Sequence, residues 1–136
     1  MKKVCLFLSI VASLYAYTAT KTAQELHYIN SFEQGMALAK KEHKMVMLVV
    51  VKDHCPWCKK LEQKTLCDTK IQQKTSQFVK ILIDRNQKMP ACYHTAIVPV
   101  VSFIDPSTQE TEWEAYGYRT VDKFLDDIKN AQEDSI

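Results

Sequence analysis

Continuous apolar runs alternate along this chain with stretches in which apolar residues recur every three or four positions, an order that predicts buried strands between amphipathic helices. Met45-Val46-Met47-Leu48-Val49-Val50-Val51 is apolar without a break, so it predicts a strand covered on both faces rather than one with a wet side. Residues 78–84, with Phe78, Val79, Ile81, Leu82 and Ile83, predict a second buried strand. A third starts at Val98-Pro99, Asp105-Pro106-Ser107 reads as a turn, and residues 112–116 form a short strand carrying Trp113.

Helical spacing fills the intervals. Asn30-Ser31 followed by Gln34 is a capping-box start, and Phe32, Met36 and Ala39 share one face, giving a helix over 32–42. A second helix is expected over 56–66, and Asp68 reads as the N-cap of a short one through residue 74. Residues 85–95 are polar and read as irregular or weakly helical. Gly117 precedes a last helix over 120–130, whose Val121, Phe124, Leu125 and Ile128 line one face, and the polar tail beyond it is expected to fray. Strands alternating with helices make the class α/β.

At 136 residues and 46% hydrophobic content the chain has room for one domain with a core of ordinary size. Its beginning does not belong to that core. Met1-Lys2-Lys3 is a basic start, residues 4–15 are apolar, and Ala16 is a small residue at a cleavage point, so 1–16 reads as a secretory signal and 17–136 as the mature domain. The apolar stretch is short of the roughly 20 residues needed to cross a bilayer, which favours export over an uncleaved anchor. Losing Lys2 and Lys3 leaves 16 basic against 16 acidic residues, a neutral chain with no basic surplus to suggest nucleic acid.

The chemistry concentrates in Cys55-Pro56-Trp57-Cys58, directly after the first buried strand. A strand that delivers Cys-x-x-Cys to the start of a helix suits dithiol/disulfide exchange, because unpaired N–H groups and the helix dipole stabilise a thiolate on the first sulfur. Cys55 is then the attacking thiol and Cys58 the resolving one. Pro56 fits the first helical position, where no N–H is needed. Trp57 reads as an exposed platform for a docking client, or else as a packed aromatic. The same two cysteines are also half of a zinc site or a structural bridge. With Cys5 gone in the signal, five cysteines become four, and Cys67 with Cys92 are open to three readings: a second disulfide, two buried apolar residues, or a second exchangeable pair.

The element order, with Cys-x-x-Cys after the first core strand, resembles the thioredoxin fold over residues 27–130 and implies a central mixed sheet of four to five strands flanked by helices. The resemblance also gives Pro99 a meaning: in thioredoxin-like proteins a proline here is cis, packs on the active-site disulfide, and exposes the preceding backbone, here Val98, to a substrate strand. An ordinary trans proline at a strand's first residue is the alternative. Cys55-Pro56-Trp57-Cys58-Lys59-Lys60-Leu61-Glu62, Thr65-Leu66-Cys67-Asp68, residues 100–105 and Tyr116-Gly117-Tyr118 look most like the exported members of that family, including the C-terminal domain of periplasmic thiol:disulfide interchange reductases and small thioredoxins of sulfur metabolism. The 41 positions from Cys58 to Pro99 leave no room for the helical insertion of DsbA-type oxidants. One departure stands out. Typical thioredoxins hold a buried acid six residues before the first cysteine, where this chain has Val49. Lys52, Asp53, His54 or Glu62 can take its place only where the side chain converges on Cys58.

The resemblance implies an exported, periplasmic thiol-disulfide oxidoreductase, favoured as a reductase, that exchanges with client disulfides or thiols and is served by a membrane thiol-disulfide donor or acceptor. An oxidant of the same fold is the first alternative. A soft-metal carrier, with Cys55 and Cys58 holding Cu(I) and His54 or a methionine assisting, is the second. A client-binding module with an inert disulfide is the third. No flavin, nicotinamide or metal signature appears, so neither a cofactor nor a metal is expected.

Overall fold

The computed structural model describes residues 19–134. Four strands, β1 (Val46–Val51), β2 (Val79–Asp84), β3 (Val100–Ile104) and β4 (Thr111–Tyr116), form one sheet in the order β2-β1-β3-β4. β1 runs parallel to β2 and antiparallel to β3, which pairs antiparallel with β4. Five α-helices accompany it: α1 (Ala19–Leu26), α2 (Phe32–Glu42), α3 (Pro56–Leu61), α4 (Thr69–Thr75) and α5 (Val121–Glu133). The sheet is mixed, has four strands, and is flanked by helices, as the α/β reading requires.

The unbroken apolar run of β1 is explained by two cores. Met47, Val49 and Val51 join α1, α3, α4 and α5 on one face of the sheet, while Val46, Leu48 and Val50 join Phe32, Met36 and Ala39 of α2 on the other. Every residue of β1 is buried as a result. The parallel β1/β2 pair needs a long crossover, and α3 and α4 supply it. The β3/β4 hairpin follows the 105–107 turn, with a register shift at Phe103/Ile104.

Caps fix most helix starts where the sequence put them. The Ser31 hydroxyl accepts the Gln34 N–H, the Asp68 carboxylate accepts those of Lys70 and Ile71, and the Thr120 hydroxyl accepts that of Lys123. α2 ends at His43 in a left-handed conformation (φ 53°) that returns its N–H to the Ala39 carbonyl.

Three boundaries and one helix differ from expectation. The single helix expected over 56–66 is α3 followed by a π-helical turn, Glu62–Leu66, which directs Glu62, Thr65 and Leu66 inward. The Thr65 hydroxyl donates to the Arg119 carbonyl at 2.6 Å, tying that wide turn to the loop before α5. The third strand begins at Val100 rather than 98, since Pro99 has no N–H for a ladder and its carbonyl instead accepts from Gly117. α5 continues to Glu133, with Ala131 fully buried. α1 was not expected at all: it buries the small residues Ala19, Thr22 and Ala23, too short and too weakly apolar a stripe to stand out in the sequence. The secretory signal expected over 1–16 lies outside the described residues.

Candidate active site

β1 ends at Val51, and the chain turns through His54, held at φ 53°, into α3. Cys55 is the N-cap of α3, in extended conformation, and its sulfur accepts the Cys58 N–H at 3.2 Å. Pro56 occupies the first helical turn. The two sulfurs are bonded to each other across a Cα separation of 5.2 Å. Cys55 keeps 8% exposure and Cys58 none, so Cys55 alone of the two meets solvent at the helix tip.

Around the pair the surface is apolar. Trp57 is 57% exposed and stacks on Tyr118, ring centroids 6.0 Å apart, with the Lys60 ammonium over both rings. Trp57 is therefore exposed and not a packed core aromatic. Val98 packs against both cores, its bond to Pro99 is cis, and Ile97 beside it is as exposed as Trp57. Tyr118 is held from behind. Its neighbour Arg119 makes a two-pronged contact with buried Asp127 at 2.7 and 2.8 Å, and Asp127 also accepts the Trp113 indole N–H. This network is not legible in the sequence, because its three members come from separate elements and only folding brings them together.

One acid is buried beside the pair. Glu62 donates its N–H to the Cys58 carbonyl, so it follows Cys58 by one helical turn. The residue is 3% exposed and neither carboxylate oxygen has a hydrogen-bond partner among the described residues. Burial pushes this carboxyl up to about 7, poised to exchange a proton near neutral pH. Val49, at the position where an acid was expected, is buried in the same core as Cys55 and Cys58. Of the four candidates to replace it, Asp53 and His54 are exposed, Lys52 is half-buried, and Glu62 alone is enclosed on the cysteine face.

Cys67 and Cys92 are not joined. Both are exposed free thiols, which overturns a second disulfide and equally the reading of two buried apolar residues. The reason is topological: Cys67 follows Leu66, packed on the core of α1, α3 and α5, whereas Cys92 precedes Tyr93, packed with Phe32 on the opposite core. The Cys67 thiol donates to the Gln63 carbonyl at 2.8 Å. His94 faces the Met89 carbonyl. No group of three or more metal-ligating side chains occurs among the described residues, and two clefts of about 610 and 490 Å3 lie along α2, lined by none of the cysteines.

A buried strand that hands a Cys-x-x-Cys disulfide to a helix tip, within a four-stranded mixed sheet, defines a dithiol/disulfide protein of the α/β class. Residues 27–106 match the family model described as thioredoxin-like, and the chain belongs to that family. The thiol:disulfide interchange protein DsbD of Actinobacillus pleuropneumoniae serotype 5b (strain L20) is 25% identical over 145 residues, covering 90% of this chain but only 25% of that protein. The chain thus spans about a quarter of the relative's length. Among solved structures, a thioredoxin from Thermus thermophilus superposes with a TM-score of 0.69 at 20% identity, covering 77% of this chain and 86% of the other. The oxidised C-terminal domain of DsbD from Neisseria meningitidis does so with a TM-score of 0.62 at 22% identity, covering 79% and 98%. Both likenesses establish the fold.

Proposed function

We propose that this protein is an exported thiol-disulfide oxidoreductase that works as a reductase on client proteins. The observation that carries the reading is the Cys55–Cys58 disulfide at the tip of α3, Cys55 slightly exposed and Cys58 fully buried, with Glu62 enclosed one turn beyond. The relative's name, a thiol:disulfide interchange protein, supports the same chemistry.

In the reduced protein the Cys55 thiolate, held by the Cys58 N–H and the start of α3, attacks one sulfur of a client disulfide and expels the other as a thiolate. Cys58 then loses its proton and attacks the Cys55 sulfur. The mixed disulfide breaks, the client leaves as a dithiol, and the protein keeps both sulfurs as a disulfide. Two electrons pass from protein to client. Glu62 takes the Cys58 proton, the task that Val49 has no group to perform. Trp57, Tyr118 and the Val98-Pro99 segment form the docking surface. Residues 1–16 are the export signal and the site of work is the periplasm, where a membrane thiol-disulfide protein restores the dithiol. No metal and no cofactor takes part.

The equilibrium reduction potential against glutathione tests the direction. A value near the thioredoxin end, about −270 mV, is expected; one near −120 mV makes the protein an oxidant. Stoichiometric Cu(I) binding that survives a thiol competitor, without disulfide exchange, would establish the metal-carrier reading instead.

A further inference from the structure

During reduction of a protein client, the docked client covers the face from which Cys55 meets solvent, yet a proton must still leave Cys58. Behind the pair lies a cleft of about 280 Å3 between α1 and the π-helical turn, lined by Thr22, Glu25, Leu26, Glu62, Gln63 and Cys67. Glu62 forms part of this cleft's wall, and its unpartnered carboxylate oxygens lie closed off from solvent while the pair is disulfide-bonded.

We infer that the cleft between α1 and the π-helical turn is the proton route of the exchange reaction, connecting Glu62 to solvent on the side of the molecule away from the docked client. The inference rests on the disulfide-exchange reading above. Cys58 gives its proton to Glu62, and a small opening of the wall at Glu62 then brings cleft water to the carboxylate, which gives the proton up; no electron moves along this path. The lining suits that use. Thr22 and Gln63 carry groups that both donate and accept, Glu25 is a surface carboxylate with Lys21 at 3.9 Å, and Cys67 stands exposed at the mouth. The charged groups around Glu62 leave it free to cycle: Glu25 on α1 is drawn off by Lys21, and on α5 Asp127 is satisfied by Arg119 and Trp113. Burial accounts for the raised value of Glu62, which lets it take and release a proton near neutrality. The wide π turn explains why the cleft is there, since it directs Glu62 inward and ends at Cys67.

Cys67 offers a handle that does not touch the reacting sulfurs. In the full chain with Cys5→Ser and Cys92→Ser, N-ethylmaleimide added while Cys55 and Cys58 are disulfide-bonded labels Cys67, and the active pair is then reduced. With insulin as the protein disulfide, the label is expected to slow resolution of the mixed disulfide on the order of tenfold, short of the full loss of a positioned base. With hydroxyethyl disulfide, which leaves the front of the site open to water, labelled and unlabelled protein should react alike. Glu62→Gln should abolish the label's effect on insulin, and labelling Cys92 in a Cys5→Ser, Cys67→Ser chain should have none. Equal rates with insulin, or equal slowing with both disulfides, overturns the route. An unlabelled protein that reduces neither disulfide refutes the exchange reading itself, a separate failure.

Discussion

Glu62 is the residue whose environment departs furthest from what its charge requires. An ionised carboxylate with no partner is costly to enclose, so the folded chain holds a proton there that an unfolded chain releases near pH 4.5, the group's ordinary value. The sign follows. Stability from this group is complete below about 4.5, declines as pH rises toward about 7, and is flat beyond, a loss on the order of 3 kcal/mol. Urea unfolding of the oxidised protein at pH 5 and pH 8 should therefore show a larger drop for wild type than for Glu62→Gln, which has nothing to ionise. Parallel drops would mean that the carboxyl is hydrated. In exchange kinetics Glu62→Gln should slow the resolving step by about a hundredfold at pH 7, with the deficit shrinking at high pH as Cys58 ionises unaided. Trp57→Ala should act differently: exchange with a protein client falls about tenfold, and exchange with hydroxyethyl disulfide is unchanged, because 57% exposure gives the ring little packing to lose.

At the scale of elements, legibility tracked how local the determinant was. The caps at Ser31, Asp68 and Thr120 and the apolar run of β1 are contained within a few positions, and they place α2, α4, α5 and β1 correctly. Cys55 at the start of a helix was legible for the same reason, since Pro56 marks the first turn. What escaped depends on distant partners. The π turn is held by Thr65 reaching Arg119, 54 positions away, and α1 is held by a core it does little to advertise. Glu62 appeared in the sequence as one of four candidates, and only its position one turn beyond Cys58 separates it from the rest. The Arg119–Asp127 clamp joins these elements, so its loss should be felt in two places. Asp127→Ala leaves the guanidinium and the Trp113 N–H without their acceptor and should cost about 2 to 3 kcal/mol in urea unfolding. It should also weaken protein-client exchange through the loosened Tyr118 platform. Asp127→Asn, which keeps an acceptor, should recover part of both. A loss confined to stability would detach the clamp from the site. Gly35→Ala probes the opposite layer: a Cβ there overlaps the enclosed Ile81 side chain, so α2 must shift off β2 at a cost of about 1 to 3 kcal/mol, with the exchange rate untouched.

The whole molecule is organised by its sheet, which divides the described chain into a chemical side and a structural side. Cys55, Cys58 and Glu62 belong to the layer of α1, α3 and α5; α2 and the 91–93 turn pack on the other, where the two largest of the described clefts also lie. Four cysteines among the described residues invite pairing by arithmetic, but Cys67 and Cys92 are free thiols whose neighbours Leu66 and Tyr93 pack on opposite faces of the sheet. An alkylating reagent applied to residues 17–136 without prior reduction should add two labels, at Cys67 and Cys92, and after reduction four. Unfolding in urea before labelling should leave the unreduced count at two, because Cys55–Cys58 is the sole bridge among the described residues. A count of zero without reductant would place a second disulfide across the sheet and would require a different packing of the 85–95 segment. The same separation predicts how the protein fails under oxidants: with both outer thiols exposed and unable to meet within one chain, prolonged oxidation should yield disulfide-linked dimers that Cys67→Ser and Cys92→Ser together abolish, while the single substitutions each leave one linkage. Non-reducing electrophoresis distinguishes these cases, and monomers persisting in the wild type would show that one of the two thiols is shielded.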